Sequence, residues 1–384
     1  MRRRAARPAL PIVLLVVTGL LAACSDDSET PNLTVTASPS ADQPTGSSSG
    51  SPTPESDSPQ PPGATEVVGT IATGLAVPWG LAFLPNGDAI VTERDSQRVL
   101  RIHGPQHRVE VIATLDDAAP GGEGGLLGVA ASPDFATDHE LFFYVTTATD
   151  NRIAKASYDG GRLGPLEVIL DGIPNGFIHD GGRLAFGPDG YLYASTGETG
   201  NDALAQDTDS LGGKILRITT DGDPAPGNPI DGSPIWSYGH RNVQGLAFDD
   251  RDRLWASEFG ASTFDELNLI EPGDNYGWPT VEGRGGKAGL VDPQVVWDTD
   301  VASPSGLAWS DGYLWLASLR GRRLWRIDVV GKRATDPTDF FVGEYGRMRT
   351  VAVAPDGRLW VTTSNRDGRG SPADGDDRIL VIRP

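Results

Sequence analysis

The chain has 384 residues, with 49 Gly, 30 Pro, a single Cys and a formal charge of −20 at pH 7. One cysteine excludes an internal disulfide framework, a cysteine zinc site and an iron–sulfur cluster, and the acidity argues against nucleic acid or anionic lipid headgroups as partners. The Gly and Pro content favours turn-rich β structure, and the length allows one large domain or two ordinary ones.

In chain order, Arg2, Arg3, Arg4 and Arg7 precede an apolar run from Ala9 to Ala23 that ends Leu21-Ala22-Ala23-Cys24. A basic head, a short apolar stretch and small residues before a cut make a secretory signal over residues 1–23. The run is shorter than the ~20 residues a spanning helix needs. The Leu-Ala-Ala-Cys ending resembles the bacterial lipobox, which implies that Cys24 is lipidated and becomes the new N-terminus. The expected address is the outer face of the cytoplasmic membrane, with the lipid as the sole membrane contact. Residues 25–63 hold 10 Ser, 8 Pro, 5 Thr and 6 acids among 39, and no Lys, Arg or aromatic residue. Such a segment cannot bury enough apolar surface to offset chain entropy, so 24–63 reads as a lipidated cysteine and a flexible tether. The folded body is then 64–384, with 28 basic and 46 acidic residues.

Within that body one pattern recurs: an apolar strand, a Pro/Asp/Gly-type turn and a second apolar strand. It appears at 81–93, 128–146, 184–196, 246–258, 307–318 and 351–363. Each pair is followed by a third strand, RVLRI (98–102), RIAKASY (152–158), KILRI (214–218), ELNLI (266–270), RLWRI (323–327) and RILVI (378–382). A fourth, such as VEVIATL (109–115) or LEVIL (166–170), leads to the next repeat. Four antiparallel strands repeated six times predict an all-β fold, a six-bladed propeller. The last repeat stops after its third strand. EVVGTIA (66–72) at the other end of the body supplies the missing one and leaves no open blade edge.

In an up-and-down blade, the turns between strands one and two and between three and four share one face. Turns between strands two and three and the crossings between blades share the other. The Pro/Asp/Gly turns therefore fall on a plain face. The opposite face carries Trp79, Glu123, His179, Glu198, His240, Arg241, Asn242, Gln244, Glu258 to Ala261, Trp297, Arg320, Arg347 and Arg349. Two of five histidines and four arginines meet there, although the protein is acidic. Arginines of this kind pair with carboxylates, and a histidine beside them can take a proton from a hydroxyl. No Ser-His-Asp arrangement and no nucleotide fingerprint accompany them, so redox chemistry would need a borrowed organic cofactor. ADGDDR (373–378) reads as a solvated acidic loop, with weak calcium binding as the alternative.

At these residues the sequence resembles a known family. GLLGVAASPDF, HDGGRLAFGPDG, LGGKILRI, YGHRNVQGLAF, DELNLIEPGDNYGWP and GRMRTVAVAPDG look like the soluble glucose/sorbosone dehydrogenases, six-bladed propellers that bind pyrroloquinoline quinone (PQQ) with calcium. The resemblance runs over about residues 66–384 and rests on the joint occurrence of HDGGR, GHRNxQG and NYGWP. It implies that His179 is the base that deprotonates a sugar hydroxyl and that Arg241 polarises the quinone oxygen, with Asn242 beside it. It implies also that Arg347 and Arg349 hold PQQ carboxylates, that Glu123 lies near the cofactor, and that backbone carbonyls of Gly260 and Ala261 help bind Ca²⁺. A small sugar would be the substrate, and electrons would pass to a membrane or soluble acceptor.

Four positions depart from the family pattern. Glu198 stands for an aspartate that orients the base, Arg320 for a lysine that contacts PQQ, Phe259 for a usually polar residue, and Ala261 for a frequent proline. These departures motivate an alternative, a lipid-anchored propeller that binds a sugar or envelope partner without turnover. A hydrolytic propeller would need an acidic metal cluster that the sequence does not display.

Overall fold

The computed structural model describes residues 64–384; the signal segment, Cys24 and the tether lie outside the described residues. Strands form wherever short apolar runs alternate with polar residues, and they assemble into six antiparallel sheets arranged as propeller blades. The innermost strands are Pro78–Phe83, Leu126–Ala131, Leu184–Phe186, Val243–Phe248, Pro304–Ser310 and Met348–Val353. Two four-residue helices, Phe135–Asp138 and Ala203–Gln206, interrupt this pattern. Among the described residues no helix is long and apolar enough to cross a membrane.

The hairpin turns follow directly from their residues. In blades one, three and six the first turn places Gly87, Gly190 and Gly357 at φ of 86°, 80° and 80°, a conformation that glycine adopts without steric cost. Blade four uses Asp252 there, at φ 61°. Its turn is held because Asp249 accepts from the Arg251 and Arg253 amides and pairs with the Arg253 guanidinium at 2.7 Å.

Hydrophobic burial is concentrated between blades, in six clusters that match the six blade interfaces. Trp79 and Trp297 belong to two of these clusters and are buried, so they are packing residues and not members of the exposed face. Their large aromatic surfaces explain the placement.

The sixth blade closes as expected: Glu66–Ala72 pairs antiparallel with Ile379–Arg383. The acidic 373–378 loop is exposed at Ala373 to Gly375, as expected, but its last two acids take part in the closure. Asp376 and Asp377 are buried, and Asp377 accepts from the amides of Val77 and Asn365. Reciprocal backbone bonds between Leu75 and Asp377 complete this latch. The carboxylate oxygens of Asp376 and Asp377 are spent on amides, on Thr363 and on Arg378.

Candidate active site

Glu123, His179, Glu198, His240, Arg241, Asn242, Phe259 to Ala261, Arg320 and Arg347 arise from crossings between blades or from turns between second and third strands, whereas Trp79, Gln244, Glu258, Trp297 and Arg349 lie within strands. The crossing before blade three, residues 174–183, turns sharply at His179 (φ 59°), Gly181 (φ 64°) and Gly182 (φ 103°). A Cβ on Gly181 would lie 2.5 Å from the Thr196 backbone, so only glycine lets this loop lie against the following turn. The close approach brings the His179 ring against Glu198, with Nδ1 and Oε1 at 2.5 Å. Glu198 is 0 % exposed and His179 8 %.

Glu123, from the crossing before blade two, organises the neighbourhood. Its Oε2 accepts from the His179 amide at 3.0 Å and from Asn242 Nδ2 at 3.3 Å, and its Oε1 pairs with Arg369 at 2.8 Å. Burial pushes the Glu123 carboxyl up, but Arg369 and the His179 amide outweigh it and hold the group below its ordinary range. Asn242 in turn accepts from the Gly181 amide at 3.1 Å. Arg241 joins the group through its carbonyl, which accepts from the Glu198 amide at 2.9 Å. The structure thus brings His179, Glu198, Glu123, Arg241 and Asn242 into one connected network.

Arg347 and Arg349 form a second group on a shared carboxylate. Asp367 meets Arg347 Nε at 2.9 Å and Arg349 Nη2 at 3.3 Å. Arg349 also donates to Ser364 Oγ and Gln244 Oε1. Burial, with Arg94 nearby, lowers Arg349 to about 9. A cleft of about 470 Å³ lies beside this pair, lined among others by Arg320, Arg347, Asn365 and Arg369. Arg320 is exposed, and no ion pair includes it among the described residues. His179 and Arg241 do not line the cleft; Arg369, which does, reaches the first group through Glu123.

Gly260 and Ala261 sit in the turn between the second and third strands of blade four. Gly260 O accepts from Arg241 Nη1 at 2.6 Å, while Glu282 Oε1 accepts from the four amides of Ala261 to Phe264 at 2.7–3.1 Å. Phe259 is half-buried, with its amide on Asn242 O at 3.1 Å.

Three residues of this face are outside the expectation. Asp367 and Arg369 belong to the turn between the second and third strands of blade six, the same loop class that exposed Glu198, so the same rule finds them. Trp278 arrives differently. The segment 271–294 links third and fourth strands, which topology assigns to the plain face. Yet it runs alongside the last strand of blade three, with Gly273 bonded to Trp236, Tyr276 to Tyr238 and Trp278 to Gly239. It delivers the Trp278 ring 5.3 Å from the Arg241 guanidinium carbon, within cation–π range. His240, expected on the rim, lies beneath it. Its ring is 0 % exposed, bonded to Ser237 Oγ and Glu258 Oε2 and stacked on Tyr276 at 4.7 Å.

Comparison with known proteins agrees with this geometry. The profile of the family described as Glucose / Sorbosone dehydrogenase matches residues 75–379. The chain belongs to that family. It is 30% identical over 341 residues to the aldose sugar dehydrogenase YliI of Escherichia coli, covering 79% of this chain and 92% of that one. It is similar to the PQQ-bound form of aldose sugar dehydrogenase from Streptomyces coelicolor, with 55% identity and a TM-score of 0.82 over 85% of this chain and 99% of that one. The apo form of the soluble aldose sugar dehydrogenase from E. coli shows 27% identity and a TM-score of 0.75 over 84% and 100%.

The glucose/sorbosone dehydrogenase resemblance implies PQQ and calcium, and the residues present answer differently for each. A planar tricarboxylate fits: the cleft offers Arg320, unpaired among the described residues, beside Arg347, and the adjoining network leaves the Arg241 Nε donor buried without a partner among them. Calcium does not fit as the side chains stand. The Arg241 guanidinium holds Gly260 O, and a divalent cation on that oxygen would meet a positive charge at hydrogen-bond distance. Among the described residues no cluster of three or more His, Cys, Asp or Glu side chains is placed to hold a metal.

Proposed function

We propose that this chain oxidises a hydroxyl of an aldose or related polyol, with PQQ bound at the arginine cleft and His179 as general base. The observation that carries the proposal is the His179–Glu198 pair. Nδ1 is held by a buried carboxylate, while Nε2 has no partner among the described residues, and Arg369 of the cleft wall reaches the His179 amide through Glu123. The carboxylate fixes the tautomer with the proton on Nδ1 and the lone pair on Nε2.

A sugar hydroxyl placed at Nε2 gives up its proton to the imidazole, and Glu198 stabilises the imidazolium that forms. PQQ, when bound, supplies the two-electron acceptor for the hydride that leaves the same carbon. Arg320, Arg347 and Arg349 are the residues to hold its carboxylates, and Asn242 and Arg241 are those nearest the base. Glu123 keeps the His179 backbone in place through its amide. No step is routed through calcium.

Reconstitution of the purified protein with PQQ, with and without Ca²⁺, followed by dye reduction with a panel of aldoses, tests the reading. A PQQ-dependent absorbance change and sugar-dependent turnover are expected. Absence of the absorbance change, or activity no greater than that of His179→Ala, overturns it, and a sugar-binding response without turnover would favour the non-catalytic propeller. We place the protein on the outer face of the cytoplasmic membrane, held by lipid on Cys24. Cys24→Ser is expected to move it from the membrane fraction to the soluble extracellular fraction, and retention in the membrane overturns the anchor.

A further inference from the structure

Below the site, the six innermost strands enclose a channel of about 290 Å³. Each blade contributes one buried aliphatic residue to its wall: Leu81, Val129, Leu184, Leu246, Leu307 and Val351. These strands run from the site face towards the plain face, so the half-buried Phe186, Phe248 and Trp309 mark a mouth on the side away from His179. The channel and the arginine cleft have no lining residue in common.

Arg183 stands at the inner end of this channel and is 8 % exposed. Its side chain leaves blade three and reaches three others. Nε donates to Gln244 O at 2.8 Å, Nη2 to Thr350 Oγ1 at 3.2 Å and Nη1 to Trp79 O at 3.5 Å. The guanidinium carbon lies 4.2 Å from the centre of the Trp79 ring. Every one of these partners is neutral, and among the described residues no ion pair includes Arg183. The charged neighbour that acts on it is Arg349, another cation. Burial and Arg349 lower Arg183 to about 9, which still leaves it charged at neutral pH.

An uncompensated buried charge is costly, typically by several kcal/mol after relaxation, and proteins meet that cost with a counter-charge. A guanidinium has five N–H donors, and three are used here, which leaves donors on a group that lines a cavity. We propose that the central channel is an anion site, in which a small monovalent anion, a halide or a short aliphatic carboxylate, binds Arg183. Arg183 is the one charged residue among those lining the channel, and the aliphatic collar adds no further donor, so a singly charged anion is the better match. At roughly 30 Å³ per water, the cavity accommodates such an ion with several waters or with a short alkyl tail.

The test uses the wild-type protein first. Crystals soaked in sodium bromide are expected to show anomalous density at the Arg183 guanidinium, and bromide confined to the outer surface overturns the site. In solution, bromide and butyrate are titrated in separate arms, each against sulfate at equal ionic strength. A saturable rise in Tm is expected with bromide, butyrate or both, and its loss is expected in Arg183→Met. Should that variant not fold, Arg183→Lys, which keeps the charge but not the fork, is expected to weaken the response at least threefold. A response to neither anion, or one unchanged in a folded Arg183 variant, overturns the proposal. None of these readouts depends on PQQ or sugar turnover.

Discussion

Blades three and four each begin with a histidine whose Nδ1 meets a glutamate from the same blade, and the two pairs have opposite fates. His179 meets Glu198 at 2.5 Å and His240 meets Glu258 at 2.8 Å. In blade four the second ring nitrogen bonds Ser237 Oγ, Tyr276 covers the ring face, and nothing of the side chain reaches solvent. In blade three, where His179 sits in the left-handed region, Nε2 has no partner among the described residues. A histidine–carboxylate pair is therefore not itself a mark of catalysis; an unspent second nitrogen is. Ser237, on the last strand of blade three, spends the second nitrogen of His240, and the segment 271–294 covers the ring face with Tyr276.

That contrast is best broken by substituting the two histidines in parallel. His179→Gln is expected to lower kcat by about 10²–10⁴-fold, the usual contribution of a general base, while PQQ binding followed by absorbance persists. His240→Gln should instead lower stability by about 1–3 kcal/mol, read by urea denaturation, with kcat per folded molecule little changed. Reversed outcomes would assign the base to blade four.

A second comparison concerns the buried acids beside the two pairs. Burial, with Glu123 nearby, raises Asp180 to about 6, although Asn151 and the Gly176 amide donate to it. Burial and Glu258 raise Glu266 well above the carboxylate range. The folded protein thus keeps a proton on Asp180 that the unfolded chain loses near pH 4, so this contribution to stability falls as pH rises from about 4 to 6. Asp180→Asn removes the titration. Its stability relative to wild type is expected to climb by up to about 3 kcal/mol between pH 4 and 7. A gap independent of pH would show that Asp180 does not hold the proton.

The smallest expected effect is on the cofactor grip. Arg347→Ala removes one of two arginines on Asp367 and should weaken PQQ binding about 10–100-fold, in line with about 1.5–3 kcal/mol for a charged hydrogen bond. Arg322→Ala, on the cleft wall but outside the proposed grip, serves as the reference, and equal loss in both variants would mean that general charge and not a specific contact holds the ligand.

Blade number, strand order and the permuted closing strand were all legible in the residues, because strand periodicity, turn chemistry and repeat spacing are local properties that chain order preserves. The loop-class rule also placed His179, Glu198, Glu123, Asn242 and the arginines on one face. What chain order cannot express is which members of that face remain free to act. Glu123 finds Arg369 across 246 residues, Arg183 meets Trp79 across 104, and Asp377 latches Val77 across 300. Those partners decided that Trp79, Trp297 and His240 are packing residues, that Gly260 serves Arg241, and that the last two acids of the 373–378 loop take part in the closure. Net charge is a property of composition alone, and the proposed anchor at Cys24 rests on the sequence, since that residue lies outside the described ones. Only the tertiary fold brings Arg94 of blade one, Arg183 at the entry to blade three, and Arg347 and Arg349 of blade six close together in an acidic protein, because the propeller gathers its blades around a single axis.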